Sequence, residues 1–93
     1  MDVAHISHTV GANVVIPQVL CPTLYVSNRS KIHLVCDGYN TINIKIFDES
    51  EVVIEDCDEH SEILVYKYSD NAKVEQGKFC LGRVKEFEKY LRL

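Results

Sequence analysis

From Ser30 onward the chain repeats one short phrase: a small or polar residue, followed two and four places later by aliphatic residues. Ser30 leads Ile32 and Leu34, Asn40 leads Ile42 and Ile44, Ser50 leads Val52 and Ile54, and Ser61 leads Ile63 and Val65. Ala72 leads Val74, but Gln76 stands where the second aliphatic belongs. The leading residues are therefore ten or eleven apart throughout. Fainter echoes flank this block, with Ala12 before Val14 and Ile16, Pro22 before Leu24 and Val26, and Gly82 before Val84.

Alternate residues of a strand face one side, so each aliphatic pair points into a core. β-branched Ile and Val suit such a pleated, half-buried surface. Turn formers separate the phrases: Asp37-Gly38, Asp48-Glu49-Ser50, Asp58-Glu59 and Ser69-Asp70-Asn71. The pattern predicts an all-β fold of short stacked strands with a ten-to-eleven-residue repeat. Two architectures share it. In a β-solenoid, two phrases make one coil, Ile32, Val52 and Val74 form one column, and Ile42, Ile63 and Val84 form another. In a compact antiparallel sheet or sandwich, each phrase is one strand of a meander.

The length of 93 residues bounds a single domain, 1–93, with strand repeats over 23–80. Residues 1–22 read as an irregular N-terminal segment punctuated by Gly11 and Pro17, with a short strand at Val14-Val15-Ile16. Residues 81–93 read as a C-terminal cap. Val84, Phe87 and Leu91 have helical spacing, so a C-terminal helix is one expectation. Read with period two, the same stretch is one more strand.

The apolar fraction of 46% is that of a globular chain. A net charge of −4 argues against direct nucleic-acid binding, which needs a basic surface. No basic leader and no long apolar run is present, so the expectation is a cytoplasmic protein without a membrane span. Cys21, Cys36, Cys57 and Cys80 are widely spaced, with no Cys-x-x-Cys pair, and read as free, mostly buried thiols.

The strongest local bias is acidic. Asp48, Glu49, Glu51, Glu55, Asp56, Asp58, Glu59 and Glu62 fall in one segment with no Lys or Arg. They read either as a negative patch that meets a basic partner surface or as solvated turns and an outward strand face. The spacing does not fit a calcium-binding loop. The C-terminal stretch balances this segment with Lys78, Arg83, Lys85, Lys89 and Arg92.

His5, His8, His33 and His60 do not cluster with the cysteines as structural zinc ligands do, so no metal and no cofactor is expected. No nucleophile elbow or phosphate-binding glycine loop occurs, and the expectation is a non-enzymatic protein. Tyr66 and Tyr68 alternate with inward Ile63 and Val65, so they read either as outward, partner-binding aromatics or as part of a central strand buried on both sides.

Between Asn28-Arg29-Ser30-Lys31-Ile32 and Asn71-Ala72-Lys73-Val74 the chain resembles small short-repeat β proteins of phages and mobile elements, whose repeat runs Asn-Ala-x-Val or Asn-Ser-x-Val. The resemblance covers about half the chain. The eleven-residue steps and acidic insertions depart from a regular repeat. What the resemblance implies is a phage protein of the anti-CRISPR type in a bacterial host cytosol, which inhibits a CRISPR effector nuclease by protein binding. A structural, self-assembling β-repeat protein is the alternative, and a homo-oligomer fits either reading.

Overall fold

The structure is a computed structural model that describes residues 3–16, 23–36 and 41–89. Nine strands form among these residues: β1 (Val3–Ser7), β2 (Val10–Ile16), β3 (Thr23–Ser27), β4 (Lys31–Cys36), β5 (Thr41–Ile46), β6 (Glu51–Cys57), β7 (Glu62–Lys67), β8 (Lys73–Cys80) and β9 (Arg83–Glu88). Successive strands alternate between two sheets. Sheet A has the order β1-β3-β5-β7-β9, and sheet B has the order β2-β4-β6-β8. Every pairing is parallel, so the chain is a two-sided β-solenoid and not an antiparallel meander or sandwich.

The columns follow the sequence period. Ile32 pairs with Val52 and Val52 with Val74, while Ile42 pairs with Ile63 and Ile63 with Val84. Leu24, Val26, Ile32, Leu34, Ile42, Ile44, Ile46, Val52, Ile54, Ile63 and Val65 are fully buried between the sheets. A buried side chain of this size contributes roughly 1.5–3 kcal/mol.

The small leading residues explain themselves at the corners. Ser30, Ser50 and Ser61 are buried, as is Ala72. The amide of Thr9 donates to Ser30 Oγ at 3.1 Å, and the amide of Ser30 donates to Ser50 Oγ at 3.0 Å. Each hydroxyl thus satisfies a backbone N–H of the coil before it, which a larger or apolar side chain would not do. At the opposite corner Gly82 stacks over Ser61. A Cβ there would lie 2.7 Å from the Ser61 carbonyl oxygen and 2.8 Å from that of Asp58, which only glycine avoids.

Two expectations change. The stretch that reads as irregular contains both strands of a complete coil. Its alternation is hidden by Gly11, which has φ +83° and shifts the β2 register between Val10 and Ala12. At the other end no helix forms over Arg83–Glu88. These residues are β9, paired rung by rung with β7, because Val84 continues the Ile42–Ile63 column. Pro17, Cys21, Pro22, the Asp37-Gly38 turn, Asn40 and Leu91, Arg92 and Leu93 lie outside the described residues.

Candidate binding face

The outer side of sheet A carries an ordered array of rings. The parallel register places His5, Tyr25, Lys45, Tyr66 and Phe87 in one outward column. The rings of His5 and Tyr25 stack with centroids 4.7 Å apart, and those of Tyr66 and Phe87 at 5.1 Å. Lys45 bridges the column's halves, with Nζ 5.2 Å from the Tyr25 ring centre. A second, shorter stack runs beside it. Phe47 and Tyr68 lie 4.7 Å apart, and Phe47 meets Tyr25 at 6.3 Å. Lys89 places its ammonium 5.7 Å above the Tyr66 ring.

This array follows from the coil period. A parallel stack brings residues twenty or twenty-one apart to one strand spacing, close to the distance at which aromatic rings stack. Tyr66 and Tyr68, the two aromatics singled out in the sequence, both belong to it. Their partners His5, Tyr25, Phe47 and Phe87 do not stand out in the linear sequence. Counting aromatic residues at the repeat period would find them. Tyr25, Phe47 and Tyr66 are half-buried, while Tyr68 and Phe87 are exposed. Part of each ring therefore packs on the sheet and part faces solvent.

The acidic segment is distributed differently. Its fifteen residues wind most of the way round one coil. Asp48 and Glu49 occupy the corner between β5 and β6, where Asp48 accepts the Asn28 amide at 2.9 Å and Glu49 pairs with Arg29 at 2.9 Å. Glu51 sits on sheet B between Lys31 and Lys73 of the neighbouring coils, 3.9 Å from the Lys31 ammonium. Glu55 contacts His33. Asp58 and Glu59 lie at the opposite corner with His60. Glu62 begins β7 on sheet A, in register with Thr41 and Arg83. The eight acids therefore do not form one face, and basic groups of adjacent coils meet several of them. Glu55, Asp56, Asp58 and Glu59 do remain neighbours, at the end of β6 and its following corner. Asp58 ionises below the usual carboxylate range because it accepts the backbone N–H and then the ring of His60.

The corner after sheet A holds an open groove of about 560 Å³ lined by His8, Asn28, Arg29, Asp48, Glu49 and Asn71. His8, Asn28, Arg29 and Asp48 all take left-handed backbone conformations there. Inside sheet B, Cys57 and Cys80 are neighbouring free thiols with sulfurs 3.3 Å apart, and Cys36 lies on the coil before. Burial is the main cause that pushes both Cys36 and Cys80 up to about 12. No group of three or more metal-ligating side chains occurs among the described residues. No helix of the described residues is long and apolar enough to cross a membrane.

No family model matches the chain. No curated protein and no solved structure matches it either.

Proposed function

We propose that this chain is a non-enzymatic binding protein that engages a partner protein through the outer face of sheet A. The observation that carries the reading is the ring ladder formed by His5, Tyr25, Phe47, Tyr66, Tyr68 and Phe87. Rigid aromatic rings supply large contact area at low entropic cost and dominate the centres of protein interfaces. The rungs pre-order these rings before any partner arrives, which lowers the cost of binding. Lys45, Arg83, Lys85 and Lys89 lie in or beside the same face, so the complementary surface is apolar with acidic groups at its margin.

A second reading has its own support in the corner formed by Glu55, Asp56, Asp58 and Glu59. It is the acidic-patch mode that the phage-repeat resemblance implies, in which the protein inhibits a host CRISPR effector nuclease in the bacterial cytosol. This corner would then meet a basic groove on the effector. The two readings predict opposite responses to mutation. A tagged chain is used to recover partners from a nuclease-treated bacterial lysate containing CRISPR effectors, and each recovered protein is purified and titrated. Loss of binding in Tyr66→Ala/Phe87→Ala supports the sheet A face. Loss only in Glu55→Lys/Asp56→Lys/Asp58→Lys/Glu59→Lys transfers the site to the acidic corner. Retention of binding by both variants overturns both.

A further inference from the structure

The two ends of the solenoid are chemically unlike. At the C-terminal end two inward columns of sheet A turn charged, while Val74 and Val84 keep theirs apolar and Phe79 and Leu81 are exposed beside them. The column Ile6–Val26–Ile46 continues as Lys67 and Glu88, and the column Leu24–Ile44–Val65 ends in Glu86. Lys67 Nζ pairs with Glu86 at 3.1 Å and with Glu88 at 4.0 Å. Inward charges of this kind cap a stack and discourage further strands from adding to it. At the N-terminal end the inward positions stay apolar. Ile6, Ala12 and Val14 are only partly buried, and Ile16 packs fully into the core. Val10 and Val15 of β2 are well exposed. Charged residues make up 26% of the chain, yet Asp2 is the single Asp, Glu, Lys or Arg before Arg29. The edge formed by β1 and β2 thus lacks the charges by which exposed strands are usually protected, and its one protective device among the described residues is the irregularity at Gly11, which leaves Ala12–Ile16 free to pair.

From this contrast we infer that the N-terminal end is an interface for a second copy of the same chain, joined about a two-fold axis parallel to the strands. Strand alternation selects that symmetry. Sheet A begins half a coil before sheet B, so the end is a step. A two-fold axis that exchanges the sheets fits step to step. β1 of each copy then pairs antiparallel with β2 of the other, and both inward apolar faces continue into a shared core. Head-to-tail stacking fits poorly. With nine described strands, a copy placed on β9 leaves β8 without a neighbour, and it lays Ile6 over Glu88. Burying that carboxylate against an aliphatic side chain is costly. With Asp2 the one such charge before Arg29, two copies of an acidic chain also meet there with little like-charge repulsion.

The inference goes beyond the binding face proposed above, because the joined surface is the stack's end and leaves the outer side of sheet A open. Sedimentation over a wide concentration range tests the assembly state of the 93-residue chain. Distances between nitroxides on non-natural residues at Ser7 or at Lys85 test which ends meet. The expected result is a closed dimer. Its Ser7 labels should lie about 20 Å apart and its Lys85 labels about 40 Å or more, from sheet and strand spacings. Ala12→Glu should remain folded by circular dichroism and lose the dimer, while Phe79→Glu, at an exposed position of β8 on the other end, should keep it. A monomer at every concentration, a close Lys85 pair, or an open-ended series of oligomers would overturn the inference. So would an undiminished dimer in Ala12→Glu. If that variant fails to fold, the two label distances still decide.

Discussion

The amide of Ser30 donates a 3.0 Å hydrogen bond to the hydroxyl of Ser50, twenty residues later in the chain and one coil away in space. Both residues are buried. At this corner the bond accounts for a small hydroxyl residue at the head of the repeat, whereas Ala72 keeps only the small size one coil on. Ser50→Ala leaves the Ser30 amide without its acceptor in a place that water does not reach, at a cost of about 1–3 kcal/mol. Ser50→Val adds a steric conflict at the same corner and should cost more. Urea unfolding of the two variants checks both the sign and the order.

Two glycines should respond to alanine for different reasons. Gly82→Ala forces a methyl group against two backbone oxygens of the coil below and should be severely destabilising. Gly11→Ala meets no atom within 4 Å but must hold a positive φ, which costs about 1–2 kcal/mol. Thermal melts of the two variants should therefore differ clearly, with Gly82→Ala the worse.

The thiols set an alkaline limit. Cys36 and Cys80 hold their protons far more tightly when folded than the ordinary value of 9.0 allows, chiefly because of burial. The native state therefore keeps its full stability below pH 9.0 and loses it as pH rises toward about 12. The urea midpoint should fall between about pH 9 and about pH 11. In Cys36→Val, which cannot ionise, that fall should be shallower. At neutral pH a thiol reagent should modify Cys36 slowly in the folded protein and rapidly in urea.

The core columns can be tested by truncation. Ile63 stacks between Ile42 and Val84 and is fully buried. Ile63→Ala should cost about 2–5 kcal/mol, as large-to-small changes do in packed cores. Val15→Ala, on the exposed outer side of β2, should stay within about 0.5 kcal/mol of the parent.

The period of hydrophobic residues carried most of the architecture. Ile32, Val52 and Val74 could be placed in one column from spacing alone. Strand direction could not, because an inward aliphatic pair looks the same in a parallel coil and in an antiparallel meander. The first coil was obscured where Gly11 interrupts the alternation of β2. At the other end Val84 and Phe87 fit either a helix or a strand, and only the column beneath Val84 decides between them. The acidic segment is continuous in sequence but not in space. Residues close in sequence are dispersed around a coil, whereas residues twenty-one apart are neighbours. Tyr66 and Tyr68 were visible as outward aromatics, but their alignment with Phe47 and Phe87 requires the register.

The measurement that tests the account most directly is the affinity of a recovered partner for the parent chain and for Tyr66→Ala/Phe87→Ala, with folding of both verified by circular dichroism. Interface aromatics of this kind are worth about 2 kcal/mol or more each, so loss of both should weaken binding by roughly 4 kcal/mol, on the order of several hundredfold. Unchanged affinity in that variant, with binding lost on charge reversal of Glu55, Asp56, Asp58 and Glu59, would contradict the account and place the site at the acidic corner.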